Sequence, residues 1–394
     1  MNTVLKTKLS TWGVIIALII MAAAAIVGIV LGSVAIYRQN DTPQVKIIVP
    51  STPYTPSNPE AEVSSVHELH KNEKITGFAM SKDGQTIAAG GSTTTIYTRV
   101  EDEWKKDTTL EPFDSNDITI TALAFNDDGT VIAVASYEGV WIFVKIADTW
   151  MQQGSKLTGR DSTVGSLFGH CVSLDDVGDT LVVGGPGDND NNGAMWIFKR
   201  YGTNWSQQGL KFSGSRQQGQ YVKISGNGQR VISCENQHSY INIYSISKKD
   251  NEWEKEHSLL VDWHENVDID YTGTTIVTSV HNHIHIYVRS EDSWELGHEQ
   301  MCSNGPSNPA HINSITARIN GDGNKLVLLK HGVSVSQGLC ISTVTFDQNM
   351  FSSSWVRKDL EIYPDQGLEN VLYTDSKCEI IAIVSEQNWT IHTL

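Results

Sequence analysis

A pair of turn residues recurs along this chain every 45 to 50 positions: Asp83-Gly84, Asp128-Gly129, Gly178-Asp179, Asn227-Gly228, Thr272-Gly273 and Asp322-Gly323. Each pair stands between an alternating apolar run and a short β-branched run, where a tight hairpin needs a residue at positive φ. Further along each repeat comes an aliphatic–aromatic pair: Ile96-Tyr97, Ile142-Phe143, Ile197-Phe198, Ile243-Tyr244 and Ile286-Tyr287. The sixth repeat departs from this, with Val344 and Phe346 split by Thr345. A tryptophan then opens the last strand of each repeat: Trp104, Trp150, Trp205, Trp253, Trp294 and Trp355. Four short strands per repeat at this period predict an all-β chain of four-stranded antiparallel blades, a β-propeller.

The fullest copy runs from Leu167 to Gly214, with strands around Phe168–Leu174, Leu181–Val183 and Met195–Phe198 and a last one opening on Trp205. After Trp355 one more set follows, Glu369–Tyr373, Cys378–Val384 and Trp389–His392, and it is one strand short. Val63–Leu69 precedes the first repeat and resembles Glu254–Leu260, so the spacing predicts that 63–69 completes the last blade. Pairing the two would leave no open sheet edge. The count expected for 63–394 is seven blades, with six as the alternative.

The N-terminal region is different. No charged residue occurs from Leu9 to Tyr37, and Trp12–Tyr37 exceeds the ~20 apolar residues that span a bilayer as a helix. A cleavable signal peptide would have an apolar core of only about 7–15 residues, so 12–37 reads as an uncleaved signal-anchor. Lys6 and Lys8 precede it, which puts 1–11 in the cytoplasm as a short tail. The propeller is then expected on the non-cytoplasmic side of a single-pass type II protein: cell surface, periplasm, lumen or virion envelope. Gly28 and Gly32, after the run Ala22–Ala25, form a small-residue face on which two such helices would dimerise. Residues 38–62 carry Pro43, Pro50, Pro53, Pro56 and Pro59 and read as an extended stalk.

Phe168-Gly169, Gly184-Gly185-Pro186, the run GAMWIF and the tail NWSQQGLKFSG resemble FG-GAP-type repeats related to those of integrin α chains. Trp150–Gly159, WMQQGSKLTG, repeats that tail, and the remaining repeats are closer to WD40-like ones. The resemblance implies a binding, adhesion or scaffold module with a protein or glycan ligand. Integrin-type repeats carry an acidic calcium loop between the FG and GAP elements. Here that segment, Asp175-Asp176-Val177-Gly178-Asp179, is too short and lacks the alternating oxygen ligands.

The formal net charge of −16, with no basic cluster, excludes nucleic acid as a partner. No cofactor is expected; one metal reading is calcium at Asp188, Asp190 and Asn192, which place oxygen ligands at alternate positions before Gly193, and another is zinc or copper at His281, His283 and His285. Turn chemistry also explains Asp188, Asp190 and Asn192. His281, His283 and His285 would share a face if strand geometry held, but alignment puts the first two in a turn. The Asp268/Asp270 pair reads as solvated strand residues. No GxSxG, HExxH or P-loop occurs. A stalked glycoside hydrolase of sialidase type is the alternative function, requiring carboxylates and arginines that converge at the central channel.

Recognition is expected on variable loops over a rigid scaffold: Gly184–Gly193 around Asp188, Asp190 and Asn192, the His331–Gly338 loop with His331, and Met301–His311 with Asn304 and Asn308. Asn40, Asn204 and Asn388 stand in glycosylation sequons, conditional on a secretory exterior. The five cysteines show no paired spacing; they read mainly as small apolar core residues, with room for one disulfide that the sequence does not assign.

Overall fold

The computed structural model describes residues 34–39, 42–47, 66–68, 75–101, 103–114, 118–235, 239–247, 249–261, 264–280, 283–301, 312–332, 339–345, 356–362, 371–374, 380–384 and 389–393. Contacts divide the chain into Met1–Glu60 and Ala61–Leu394. In the first unit Val34–Gln39 pairs antiparallel with Thr42–Ile47, Val34 opposite Ile47 and Gln39 opposite Thr42. This corrects two expectations, because the helix predicted over 12–37 does not include Val34–Tyr37 and the stalk predicted over 38–62 contains a strand. Val-Ala-Ile-Tyr is β-branched and aromatic, and a short apolar run of that kind suits a strand as well as a helix. Pro43 is tolerated because both strands of a two-stranded hairpin are edges. Residues 1–33, including Gly28 and Gly32, lie outside the described residues. Among the described residues no helix is long and apolar enough to cross a membrane.

The second unit is all-β and propeller-like, with four-stranded antiparallel sheets following one another along the chain. Sheet one is Gly77–Met80, Thr86–Gly90, Thr94–Val100 and Glu103–Leu110; sheet two is Ala122–Phe125, Val131–Ser136, Gly139–Ile146 and Thr149–Gln152. Sheet three is Cys171–Leu174, Thr180–Gly185, Ala194–Tyr201 and Asn204–Gln207, with Phe212–Ser213 added beside its third strand. Sheet four is Tyr221–Ile224, Arg230–Cys234, Ser239–Ile246 and Trp253–Val261; sheet five is His264–Ile269, Thr275–Val280, His283–Ser290 and Ser293–Met301. Sheet six is Ile312–Ile319, Lys325–Gly332, Leu339–Thr345 and Val356–Ile362. Sheet seven is Val371–Thr374, Ile380–Val384 and Trp389–Thr393, and its fourth strand is Val66–Glu68, with Val66 opposite His392.

The first strand of each sheet contacts the first strand of the next, and that of sheet seven contacts that of sheet one. The second strands are buried along their whole length in sheets two and three, Val131–Ser136 and Thr180–Gly185, because apolar faces cover both sides. Fourth strands alternate: Thr149–Gln152 and Asn204–Gln207 turn one side to solvent. Between sheets two and three Phe168 meets the edge of Trp196 at 5.1 Å and that of Phe198 at 6.1 Å. Such tilted aromatic pairs add about 0.5–1.5 kcal/mol beyond the area they bury.

The first turns follow one chemical rule. Gly84, Gly129, Gly178, Gly228, Gly273 and Gly323 all stand at φ between 66° and 72°. Three residues before each glycine is a buried polar side chain: Ser81, Asn126, Asp175, Ser225, Asp270 and Asn320. Each accepts the backbone N–H five residues on, as in Asn126 Oδ1 from Val131 (2.8 Å) and Asn320 Oδ1 from Lys325 (2.8 Å). The turns also join one another: Asp83 N–H donates to Asp127 O, Asp127 to Asp176, Asp176 to Gly226, Asn227 to Tyr271 and Tyr271 to Gly321. Asp268 and Asp270 are therefore not the solvated pair expected. Asp270 is buried and accepts from Thr274 and Thr275, while Asp268 Oδ2 accepts Ile319 N–H at 3.2 Å.

Of the tryptophans, Trp104, Trp150, Trp205 and Trp294 are the second residue of a fourth strand and Trp253 is the first; Trp355 lies outside the described residues. Trp294 helps to join sheets four and five. Its Nε1–H points at Glu256 Oε1 (3.4 Å), which also accepts Arg289 Nε (2.7 Å), while Arg230 Nε donates to Oε2 (2.9 Å). Burial pushes the Glu256 carboxyl up, but the two guanidinium hydrogen bonds outweigh it and bring it down to about 2. A depressed carboxylate stabilises the fold above its unfolded value of about 4.5 and loses that contribution as the pH falls towards 2. Allowing for solvent screening, Glu256→Gln is expected to cost about 1–2 kcal/mol at neutral pH and little near pH 2. Urea unfolding of both proteins between pH 7 and pH 2 measures this, and a pH-independent difference contradicts it.

Candidate functional site

In an up-and-down sheet the first and third turns lie on one face, and the second turns and sheet-to-sheet connections on the other. The second face around sheet three is built from three strands of chain: 153–170 entering, Gly185–Gly193 within, and 208–220 leaving. Asp188 locks them together. It is fully buried; its Oδ1 accepts the backbone N–H (2.7 Å) and hydroxyl (2.9 Å) of Thr163, and its Oδ2 lies 2.6 Å from Lys211 Nζ. Oδ2 receives no well-directed hydrogen bond, so the ammonium compensates it as an ion contact. The turn after it is left-handed, with φ of 50°, 56° and 66° at Asn189, Asp190 and Asn191, a conformation that Asn and Asp tolerate best. Gln217 and Gln218 N–H then donate to Asn191 and Asn192 O.

This arrangement separates the predicted ligand trio. Asp188 points inward to Thr163 and Lys211, whereas Asp190 and Asn192 are exposed. Among the described residues no group of three His, Cys, Asp or Glu side chains is placed to hold a metal. His283 opens the third strand of sheet five instead of lying in the turn, so His283 and His285 alternate on one face. Their Nε2 atoms stand 3.9 and 3.6 Å from Glu299 Oε1. His331 is in the second strand of sheet six and Asn204 opens the fourth strand of sheet three, exposed. Asn304, Asn308, Asn40, Asn388 and His281 lie outside the described residues. Cys171 and Cys234 are free thiols, and burial pushes both up.

Two carboxylates that sequence reasoning missed hold the second face. Asp161 Oδ1 accepts Trp196 Nε1–H (3.0 Å) and Gln207 Nε2–H (3.2 Å), and Oδ2 accepts Lys211 N–H (2.9 Å). Asp114 repeats the set one sheet earlier with Trp141 (2.7 Å), Gln152 (3.2 Å) and Lys156 (3.0 Å). Burial pushes both carboxyls up, but these donated bonds outweigh it and keep them below the ordinary value. The signal was the repeated tail Trp150-x-Gln152…Lys156 and Trp205-x-Gln207…Lys211; the acceptor opposite it was not predictable from spacing.

Over these anchors the connections expose apolar groups: Phe113 (72%), Tyr137 (54%), Val164 (104%) and Leu210 (72%), with Leu167 at φ 54°. Tyr137 stacks on His170 at 6.3 Å, and Leu167 Cγ sits beside Gly187. A leucine in the left-handed region is an outlier that its surroundings must hold in place.

The axis of the sheets carries a cavity of about 150 Å³, lined by the first strands of sheets one to six. Its polar lining groups are Lys82, Ser173, Lys223, Asp268, Tyr271, Arg318 and Asn320.

Compared with known families, the FG-GAP repeat matches residues 150–198, which span the last strand of sheet two, the connection and the first three strands of sheet three. No curated protein matches the chain.

Proposed function

We propose that this chain is a closed seven-bladed propeller, anchored to a membrane as a type II protein, that acts as a binding, adhesion or scaffold module through its second face. Three features support the propeller reading: the four-stranded sheets, the cycle of contacts among their first strands, and a last sheet completed by Val66–Glu68. FG-GAP repeats are generally involved in binding and adhesion, and the match to 150–198 covers the connection from sheet two to sheet three. The observation that carries the choice of face is that connection: Val164 and Leu167 project from a segment pinned through Thr163–Asp188 and Asp161–Trp196. Exposed apolar groups on a preorganised loop favour association because little ordering entropy remains to be lost on binding. A cavity of about 150 Å³ is smaller than the ~300 Å³ at which small-molecule sites begin, which favours a surface partner over a hydrolase substrate.

The anchor rests on the uncharged run from Leu9, of which 12–33 alone is about 22 residues and long enough to span. The domain would then face the exterior, where exposed Asn204 is available to a glycan.

Surface variants on the two faces test the binding reading. The partner captured from membranes and glycan panels by the full-length chain is identified, and its affinity is then measured for Tyr137→Asp/Val164→Asp and for Val177→Asp/Tyr201→Asp. All four positions are exposed, so folding should change by no more than about 0.5 kcal/mol per site. The first pair is expected to weaken binding by about tenfold or more, with the second pair unchanged. Equal affinities for both pairs rule out the second face.

A further inference from the structure

Four carboxylates are buried among the described residues: Asp175, Asp188, Asp270 and Glu235. Three are closely held. Asp175 accepts the N–H groups of Asp179 (2.9 Å) and Thr180 (3.0 Å), and Asp270 those of Thr274 (2.8 Å) and Thr275 (2.9 Å). Asp188 has Thr163 and the Lys211 ammonium. Glu235, 5% exposed, is the exception. Its side-chain contacts are Asn242 Nδ2 at 3.4 Å and Ser215 Oγ at 3.5 Å, both to Oε1 and longer than the ~2.7–2.9 Å of a charged hydrogen bond. Among the described residues no hydrogen bond reaches Oε2, and no lysine, arginine or histidine pairs with the carboxylate.

The side chains beside it are already committed. Asn242 also gives Nδ2 to Gln218 Oε1 (3.2 Å) and takes the Ser258 hydroxyl at Oδ1 (2.8 Å). Gln218 in turn gives Nε2 to Tyr244 Oη (2.8 Å) and Phe212 O (3.2 Å). Lys211, on the connection that carries Ser215, is spent on Asp188. A buried carboxylate without a counter-charge is costly. One more oxygen on this side of sheet four is uncommitted. Ser233 stands opposite Asn242 and two residues before Glu235, so the three share a face, and its Oγ is buried without a hydrogen-bond partner. Ser215 is exposed, so the carboxylate lies one side chain beneath the second face.

We propose that Glu235 anchors a site for a monovalent metal cation, sodium or potassium, completed by the hydroxyls of Ser215 and Ser233. Hard cations take oxygen ligands, and these three side chains offer nothing else. One carboxylate among neutral hydroxyls supplies a single negative charge, which a monovalent ion cancels. The ion ties the connection 208–220, through Ser215, to the second strand of sheet four.

Thermal unfolding of the purified full-length chain tests this at fixed ionic strength, with sodium, potassium or calcium chloride replacing choline chloride, whose cation is much larger. Between about 1 and 100 mM sodium or potassium the midpoint is expected to rise by about 2–4 °C, as for a site half-filled at a few millimolar. A response to one alkali ion or to both supports the site and gives its selectivity. No response to either, or a response to calcium alone, overturns it. Glu235→Gln keeps the shape and removes the charge, so in choline chloride it should melt no lower than the parent, and it should lose the response. Ser233→Ala deletes a hydroxyl that no bond holds, so it should fold and need about fivefold more salt for the same rise. An undiminished response in either variant overturns the proposal. If Glu235→Gln does not fold, Ser233→Ala decides.

Discussion

Gly184→Ala should destabilise the protein by about 3–5 kcal/mol, far more than a methyl group costs where there is space for it. A Cβ at Gly184 would stand 2.1 Å from the carbonyl oxygen of Gly219 and 3.0 Å from its carbon. Both neighbours are backbone, so no side chain can move aside. Gly184 lies in the second strand of sheet three and Gly219 in the connection that leads to sheet four, and Gly219 itself is at φ 87° with Ala194 O 2.2 Å from where its Cβ would be. Relief would require sheets three and four to separate locally. Gly202→Ala is the matched control. It also stands at positive φ (64°), but nothing lies within 4 Å of the added methyl. Its cost is conformational only, about 1 kcal/mol. Urea unfolding followed by tryptophan fluorescence gives both values, and a Gly184→Ala protein within 1 kcal/mol of Gly202→Ala would show that the close approach is not present.

The second large effect concerns the carboxylate under the second face. Asp161→Ala removes the acceptor of three donors at once, and Trp196, whose indole N–H is one of them, is completely buried. A buried donor left without a partner costs about 1–3 kcal/mol, and Lys211 loses its local register as well, so about 3 kcal/mol is expected in total. Asp114→Ala removes the equivalent bonds in sheet two, where Trp141 is as buried as Trp196, but Asp114 itself is exposed whereas Asp161 is half-buried, so water can take its place. That change should cost about 1 kcal/mol. Lys211 also compensates Asp188, so Asp161→Ala should loosen 185–193, seen as faster amide hydrogen exchange at Gly193, whose N–H is bonded to Asp188 O. Equal costs at the two aspartates, or unchanged exchange at Gly193, would separate the loop from this anchor.

What the sequence disclosed is what neighbouring residues decide. Hairpin glycines at positive φ, the aliphatic–aromatic pairs and the tryptophan at the start of the fourth strand in sheets one to five follow from alternation and turn chemistry within about ten residues. The buried Ser81, Asn126, Asp175, Ser225, Asp270 and Asn320 were equally open to reading, as Ser, Asn or Asp three residues before each glycine. The rest depended on distant partners. Asp188 looks like a surface ligand until Thr163, 25 residues before it, and Lys211 from the next connection take up its oxygens. Asp114 and Asp161 meet their tryptophans across 27 and 35 residues, an interval that differs between otherwise matching repeats. Lys223, Asp268 and Arg318 come from three sheets and share nothing but register. Val34–Tyr37 misled because apolar β-branched residues satisfy both a membrane helix and a strand.

The pairing of Val66–Glu68 with Trp389–Thr393 fixes an order of events during synthesis. About 320 residues separate the partners, and the length-dependent part of closing such a loop costs about 5 kcal/mol of chain entropy. Sheets one to six contain all their own strands and can form as they leave the ribosome, each templating the next. The strand 66–68 must wait through all of that. Until 389–393 has been made, a nascent chain exposes unpaired backbone at both ends of its stack, and two such chains on one polysome can complete each other. The same contact that completes the last sheet is therefore the place where this protein is most open to exchanging strands with its own copies.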